Sequence, residues 1–219
     1  MKELLHSMGI EAVLFDLDGT LIDNNSFHLQ SWKQYLKHIG KEISEEAYKA
    51  HINGRTNKDA IEYIYGRMMN DDEAMIYTLQ KEEIYRTIYQ PYIKPVNGLL
   101  ALLKKLDKLK IPMAIATSGI QVNIDFMFSH IPIQHYFTTV VNSAHIKAGK
   151  PDPEIYIKTA ELLKVKPEKC LVFEDAVVGV QAAKAAGMKV IAITTTHTAE
   201  ELKDADMIIA DYTALSELP

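Results

Sequence analysis

The sequence predicts an α/β fold, a doubly wound parallel sheet that carries an inserted all-helical domain. Two features of the 219 residues lead to this class. Short apolar runs alternate with segments of helical periodicity, which is the pattern of a parallel sheet covered by helices on both faces. Residues 24–92 break the alternation, because they show helical spacing and no convincing strand.

Six apolar runs are expected to form the strands. They are unbroken rather than alternating, which suits strands that are buried on both faces. Right-handed crossovers are expected to connect them. The predicted strands are residues 12–15, 112–116, 137–141, 170–173, 190–193 and 207–209.

Helical patterns lie between the later strands and throughout the insertion. They cover residues 98–109, 153–163 and 177–186 between strands, and residues 27–39, 47–52, 57–68 and 72–89 in the insertion. The polar residues 23–26 are expected to begin the insertion with helix-capping side chains. Pro91 and Pro95 mark the return to the sheet. The expected division is a core of residues 1–23 and 93–219 around an insertion of residues 24–92.

Composition and charge restrict the partners of the protein. Hydrophobic residues make up 47% and charged residues 24%, which is typical of a globular chain. A net charge of -5 gives no support for nucleic acid, and no apolar run is long enough to span a membrane, so neither is expected as a partner. One cysteine and no signal-peptide core indicate a cytoplasmic location. The expected assembly is a monomer or weak homodimer.

Chemistry-bearing side chains follow three of the predicted strands. Ligands of an open parallel sheet bind at the carboxyl ends of its strands, so side chains that follow different strands should meet there. These side chains are Asp16, Asp18 and Thr20 after the first run, Thr117 and Ser118 after the second, and Glu174 and Asp175 after the fourth, with Lys150 ahead of a helix.

This set predicts a metal-assisted phosphate site. Four carboxylates packed at one edge need a cation, and oxygen-only ligands suit Mg²⁺. The hydroxyls and Lys150 offer the donors that a phosphate binds. Taken singly, an Asp-Gly pair is also a turn signal and Lys150 could be a surface lysine. Their joint occurrence favours the site.

Four segments of the chain resemble the motifs of the haloacid dehalogenase superfamily. In order they are FDLDGTL at residues 15–21, ATSG at 116–119, KPDP at 150–153 and FED at 173–175. The resemblance implies a Rossmann-like core. It also identifies the insertion with the helical cap of the branch that includes β-phosphoglucomutase and many small phosphatases. The implied reaction is Mg²⁺-dependent hydrolysis of a small phosphomonoester, such as a sugar phosphate, through an aspartyl-phosphate.

The resemblance implies distinct roles for the two aspartates of the first motif. Asp16 attacks phosphorus, and Asp18 protonates the leaving oxygen and then takes a proton from water, with Thr20 supporting Asp18. A phosphate dianion that approaches Asp16 is repelled unless Mg²⁺ and Lys150 neutralise the charge. The two carboxylates therefore tolerate each other because one is a nucleophile and the other a proton carrier.

The remaining motif residues are expected to hold the metal and the phosphoryl group. The implied metal ligands are the Asp16 side chain, the Asp18 backbone carbonyl and Asp175, with Glu174 as a further ligand or beside one. The implied phosphate-binding residues are Thr117, Ser118 and Lys150.

Three residues of the insertion are further candidates for substrate contact. Arg55 lies where the family often places a specificity loop, and Asn57 lies close to the position of a mutase arginine. His28 matches a position that often approaches substrate in this branch. The alternatives are that Arg55 is a solvated arginine and that His28 is a histidine on the surface of its helix.

Several functions compete with the phosphatase. A β-phosphoglucomutase-like mutase is the alternative within the family. The sequence favours the phosphatase, because mutases tend to have a branched apolar residue at Thr20 and an arginine near Asn57. A phospho-receiver domain is disfavoured by the length and the helical insertion. A dehalogenase needs no Mg²⁺ and lacks a counterpart of Asp18.

Overall fold

One six-stranded sheet organises the computed structural model, which describes residues 2–215. The strand order is β3-β2-β1-β4-β5-β6, and every adjacent pair is parallel. This confirms the predicted doubly wound α/β class. The strands are β1 (Ala12–Phe15), β2 (Met113–Ala116), β3 (Thr139–Val141), β4 (Cys170–Glu174), β5 (Lys189–Ile193) and β6 (Met207–Ile209).

The two faces of the sheet bury separate apolar clusters. Val13 and Phe15 point into one cluster, and Ala12 and Leu14 point into the other. Side chains of a strand alternate between faces, so a strand covered on both sides needs apolar residues at every position. The unbroken runs in the sequence therefore predicted the strands to within a few residues.

Nine α-helices lie in the described part of the chain. The first precedes β1, five lie between β1 and β2, and the others alternate with the later strands. They are α1 (Lys2–Ser7), α2 (Asn25–His38), α3 (Glu45–His51), α4 (Asn57–Tyr65), α5 (Asp71–Tyr89), α6 (Leu99–Lys108), α7 (Gln121–His130), α8 (Glu154–Leu163) and α9 (Val177–Ala185).

Helices α1 and α7 were absent from the sequence prediction. Helix α7 follows Ile120, which supplies no side-chain cap, and its ten residues carry apolar side chains on several faces. It therefore lacks the start signal and the single apolar stripe that identify a surface helix. Helix α4 ends at Tyr65 rather than at residue 68, because Gly66 adopts a left-handed conformation with φ of 68° and terminates it.

The helices α2 to α5, called the cap helices below, have an apolar cluster of their own. Trp32 and Leu36 of α2 and Ile61 of α4 belong to it. The expected domain boundaries near residues 23 and 93 stay a prediction. Within residues 2–215, no helix has both the length and the apolarity that a membrane crossing requires.

Candidate active site

The carboxyl ends of β1 and β4 bring three acids together. Phe15 pairs with Phe173 across these neighbouring strands, and the Asp16 amide donates to the Phe173 carbonyl over 3.0 Å. Asp16, Glu174 and Asp175 each offer a carboxylate oxygen, and these oxygens lie within 4.8 Å of one another. All three residues are buried. The register of the sheet thus produces the acid cluster, defined here as Asp16, Glu174 and Asp175.

Two glycines make room for the acid cluster. Gly19 has a φ of +79°, and a Cβ atom there would lie 2.0 Å from Asp175 Oδ2. A Cβ atom on Gly179 of α9 would lie 1.8 Å from Glu174 Oε1. Neither position can carry a larger side chain without moving a carboxylate. The sequence analysis did not identify Gly179, because the sequence does not indicate which side chain a single glycine in a helix lies against.

Lys150 joins two members of the acid cluster. Its Nζ atom donates to Asp16 Oδ1 over 2.7 Å and to Glu174 Oε1 over 2.5 Å. Glu174 also accepts hydrogen bonds from the Tyr156 hydroxyl and from the backbone amides of Asp175 and Ala176. Burial lowers the pKa of Lys150, but the two carboxylates outweigh it and raise the pKa well above its ordinary value. The lysine is therefore charged and buried.

One lysine does not neutralise three buried acids. Burial raises the pKa of Asp16 to about 8, with Lys150 opposing the shift and Glu174 and Asp18 adding to it. Burial, then Glu174 and Asp16, raise the pKa of Asp175 well above its ordinary value. A hard divalent cation among these oxygens would reverse both shifts. The donor set therefore fits Mg²⁺.

Asp18 lies next to the acid cluster in a different environment. Its Oδ1 atom accepts a hydrogen bond from Asn24 Nδ2 over 2.6 Å and lies 3.4 Å from His28 Nε2. Burial raises the pKa of Asp18, but His28, Asn24 and Lys81 outweigh it, and the net pKa lies below its ordinary value. Asp16 and Asp18 thus have pKa values shifted in opposite directions, because Asp18 lies near His28 and Lys81 whereas Asp16 is buried near other acids.

Two expectations, one about the start of the insertion and one about Thr20, need correction. Asn24 is the N-cap residue of α2, but its side chain makes no capping hydrogen bond to that helix. It accepts from the Gly19 amide and donates to Asp18 and the Tyr85 hydroxyl instead. The Thr20 hydroxyl donates to Asp175 over 3.4 Å, so it contacts the acid cluster rather than Asp18.

His28 is buried and faces Asp18, unlike a surface histidine. It is 8% exposed, and its ring stacks on Tyr85 with centroids 3.8 Å apart. Lys81 Nζ lies 2.7 Å from His28 Nδ1. Because an ammonium group only donates, the Nδ1 atom must accept and Nε2 must carry the proton that faces Asp18.

Lys81 and Glu82 are site residues that sequence reasoning missed. Both lie on α5, both are 1% exposed, and Lys81 Nζ donates to Glu82 Oε1 over 2.9 Å. Asn123 of α7 donates to Glu82 Oε2 over 2.8 Å. In the sequence they stand in a charged run, Lys81-Glu82-Glu83, that resembles a solvated helix face. Only the packing of α5 against α2 and α7 distinguishes them.

Thr117 and Ser118 follow β2 beside the acid cluster. Thr117 is 1% exposed, and its Oγ1 atom accepts a hydrogen bond from the Gly119 amide over 3.0 Å. The Ser118 hydroxyl donates to the Gly54 carbonyl over 2.9 Å. Ser118 thus connects the sheet edge to the turn between α3 and α4.

Arg55 and Asn57 line the same cleft as Asp16 and Asp18. Both cap residues are half-buried. Within residues 2–215 the Arg55 guanidinium has no hydrogen-bond or ion-pair partner, so it is available to an anion or a hydroxyl group. Nine of the ten predicted site residues therefore line one cleft: Asp16, Asp18, His28, Arg55, Asn57, Thr117, Ser118, Glu174 and Asp175. The tenth, Lys150, is buried and contacts Asp16.

Comparisons with known proteins agree with this geometry. The family model described as haloacid dehalogenase-like hydrolase matches residues 13–193. Validoxylamine A 7′-phosphate phosphatase of Streptomyces hygroscopicus subsp. limoneus is 29% identical over 93% of this chain and 94% of its own length. Fructose-1-phosphate phosphatase of Escherichia coli (strain K12) is 31% identical, over 82% of this chain and 94% of its own. A solved HAD hydrolase of family IA, variant 3, from Entamoeba histolytica HM-1:IMSS has a TM-score of 0.83 at 35% identity, over 94% of this chain and 95% of that chain.

Proposed function

The chain belongs to the haloacid dehalogenase-like hydrolases and is a phosphoric monoester hydrolase, and we propose that it hydrolyses small sugar phosphates through an aspartyl-phosphate on Asp16. The family match confirms the resemblance that the four motifs carry. The observation that carries the proposal is the position of Lys150 Nζ, 2.7 Å from Asp16 Oδ1 inside the acid cluster. The names of the two phosphatases above support a phosphorylated carbohydrate as the substrate.

Asp16 is the proposed nucleophile. Its carboxylate attacks phosphorus, the bond from phosphorus to the leaving oxygen breaks, and the phosphoryl group passes to Asp16. Lys150 and Thr117 would bind the phosphoryl oxygens from the core side. The Lys150 charge offsets the repulsion between the Asp16 carboxylate and the incoming dianion.

The proposed Mg²⁺ ligands are Asp16, the Asp18 carbonyl and Asp175, with Glu174 beside them. A bound Mg²⁺ would supply positive charge to the nucleophile and to the phosphoryl oxygens. Glu174 already accepts four hydrogen bonds, from Lys150, Tyr156 and two backbone amides, so its orientation is the most constrained of the three acids.

Asp18 is the proposed proton carrier. In the free protein its pKa is lowered, and the negative charge of a bound phosphate would raise that pKa, as proton donation to the leaving oxygen requires. After the alcohol leaves, Asp18 would take a proton from the water that attacks the aspartyl-phosphate. His28 faces Asp18 with its Nε2 proton and would hold the carboxylate in place.

A mutase would need a second cationic site for the distal phosphate. Lys81 lines the cleft, but Glu82 pairs with it. Asn57 supplies no charge, which leaves Arg55 as the unpaired cation of this wall among the described residues. Either a distal phosphate or a sugar hydroxyl could use this single cation, so the support for a phosphatase over a mutase comes from the two phosphatase relatives named above. The cytoplasmic location and the monomeric or weakly dimeric state stay predictions.

The direct test is hydrolysis of p-nitrophenyl phosphate by the purified protein. Activity should vanish with EDTA and return when Mg²⁺ is added in excess. Ca²⁺ is the matched control, because it offers the same charge with longer and less directional bonds to oxygen. Full activity in metal-free buffer would contradict the proposed site.

A further inference from the structure

A chain of buried polar groups runs from the core loop after β5 through the cap helices to the acid cluster. His197 Nε2 lies 2.9 Å from Asn53 Oδ1, and Asn53 Nδ2 donates to Asn25 Oδ1 over 2.9 Å. Asn25 Nδ2 then donates to Asp175 Oδ2, also over 2.9 Å. His197, Asn53 and Asn25 are 6%, 5% and 7% exposed. None of them was predicted as a site residue.

Asp175 determines the direction of every hydrogen bond in this chain. An Asp175 carboxylate that is ionised to hold Mg²⁺ only accepts, so Asn25 then turns its amide nitrogen toward Asp175 and its oxygen toward Asn53. Asn53 therefore donates to Asn25 and presents its own oxygen to His197. His197 must then carry a proton on Nε2. Reversal of one amide would place two acceptors against each other in a buried site, which is costly.

The chain crosses between the cap helices and the core at His197. Asn53 lies in the turn between α3 and α4, one residue before Gly54. His197 lies in the loop after β5, where Glu201 Oε1 is 3.3 Å from its Nδ1 atom. Thr196 of the same loop accepts a second hydrogen bond from Asn25 over 2.7 Å. The turn that carries Arg55 is thus connected to Asp175 through side chains alone.

We propose that His197 is a positioning residue. Its contact with Asn53 couples the position of the turn between α3 and α4 to the orientation of the Asp175 carboxylate. When the turn leaves His197, Asn53 withdraws its amide from Asn25. The Asn25 side chain then loses the donor to its oxygen and is free to rotate away from Asp175. In the opposite direction, an Asp175 carboxylate oriented for Mg²⁺ holds Asn25 and the turn in place. The inference rests on the proposed function in one respect, that Asp175 is oriented for Mg²⁺.

The test uses five variants of the full chain and two measurements that need no turnover. His197→Leu removes the donor to Asn53, and His197→Gln retains a side-chain amide at a similar reach. His135→Leu is the control, since His135 is exposed and lies outside the chain. The measurements are amide hydrogen exchange of residues 52–57 and the Mg²⁺ dissociation constant from titration calorimetry.

His197→Leu should accelerate exchange in residues 52–57 and weaken Mg²⁺ binding, each by roughly 2- to 10-fold, the effect of one net hydrogen bond. His197→Gln should be close to the wild type in both exchange and Mg²⁺ affinity, and His135→Leu should match the wild type in both. Asn53→Ala is a smaller alteration that breaks the same chain, and it should reproduce the His197→Leu result. Adding His197→Leu to Asn53→Ala should change little more, because the two act through one connection.

Wild-type exchange and Mg²⁺ affinity in both His197→Leu and Asn53→Ala would overturn the inference. So would faster exchange without weaker Mg²⁺ binding, or a His197→Gln variant that behaves like His197→Leu. A wild-type protein that binds Mg²⁺ yet hydrolyses no phosphate ester would contradict the proposed function alone. The variant comparison would still decide whether His197 positions Asp175.

Discussion

Lys150 Nζ lies 2.7 Å from Asp16 Oδ1 and 2.5 Å from Glu174 Oε1, so one buried ammonium group connects the end of β1 to the end of β4. The side chain of Lys150 is 1% exposed. A buried charge is retained only when it is paired, and removing one partner leaves the other charge uncompensated. Lys150 therefore stabilises the site, and we propose that it also binds the phosphoryl group.

Lys150→Met should abolish most activity and destabilise the protein. The loss of one preorganised cation next to the phosphoryl group should lower kcat by roughly 10²- to 10³-fold. Breaking the buried pair should cost about 3–5 kcal/mol in the free energy of unfolding. Urea unfolding and p-nitrophenyl phosphate kinetics check the two effects.

Lys169→Met is the matched control for Lys150→Met. Lys169 pairs with Glu11 over 2.6 Å, but both side chains are about half exposed at 43% and 56%. A solvent-exposed pair contributes little, so this variant should keep both its stability and its kcat. Equal losses in the two variants would contradict a special role for Lys150.

The pKa of Asp16 predicts how stability varies with pH in the metal-free protein. Folding raises this pKa from 3.8 to about 8, so the folded state binds the proton more tightly than the unfolded state. The resulting stabilisation is present at acidic pH and is lost as pH rises through about 8. The melting temperature of the metal-free wild type should therefore fall between about pH 6 and about pH 9.

Asp16→Asn provides the control for this titration, because it removes the group and should make that part of the pH profile less steep, while Asp175, whose pKa is also raised, keeps part of the slope. Mg²⁺ should raise the melting temperature of the wild type more at the higher pH, since binding at the lower pH must displace protons. Scanning calorimetry with and without EDTA measures both. Parallel pH profiles of the wild type and Asp16→Asn would show that Asp16 does not titrate in this range.

The acid cluster and the sheet could be predicted from the sequence for one shared reason. A parallel strand buried on both faces must be apolar along its length, so the first polar residue after it marks the carboxyl end. Asp16, Thr117 and Asp175 follow their strands in this way. Glu174 differs slightly, because β4 extends one residue beyond the predicted strand and includes Glu174.

The contacts made by the cap helices could not be predicted in the same way. Lys81 and Glu82 are adjacent in sequence and read as solvated charges, yet α2 and α7 bury them. Asn25 looked like a capping residue but donates to Asp175, 150 positions away. Such contacts depend on how helices from distant parts of the sequence pack, and no local spacing encodes them.

Arg55→Ala should weaken the binding of sugar phosphates more than the binding of small aryl phosphates. The guanidinium is half-buried and lines the cleft, so its loss should raise KM for a sugar phosphate substrate by about 3- to 10-fold. The KM for p-nitrophenyl phosphate should change by less, because that leaving group offers no hydroxyl to the cap. Steady-state kinetics on both substrates check this.

Arg67→Ala is the control for Arg55→Ala. Arg67 is exposed in the turn between α4 and α5, where it pairs with Glu73. It should leave both KM values unchanged. An equal effect of Arg55→Ala on the two substrates, or no effect, would place Arg55 with the solvated surface arginines.

Product analysis separates the phosphatase from the mutase. A mutase must protect its aspartyl-phosphate while a bisphosphate turns over, and it needs a second phosphate site. Under the proposed phosphatase function, β-glucose 1-phosphate with Mg²⁺ and a trace of glucose 1,6-bisphosphate should yield free phosphate. A coupled assay for glucose 6-phosphate, run beside a phosphate stain, measures both products. Glucose 6-phosphate that forms much faster than phosphate would favour the mutase.

The most direct test of the account is to trap the phosphorylated enzyme during turnover and locate the phosphoryl group by mass spectrometry. Acid quenching of the wild type and of Asp18→Asn should reveal a phosphoryl adduct on Asp16, and turnover by Asp18→Asn should fall by roughly 10²- to 10⁴-fold. Asp16→Asn should form no adduct and turn over no substrate. An Asp16→Asn variant that keeps more than about a tenth of the wild-type rate, or an adduct on another residue, would contradict Asp16 as the nucleophile.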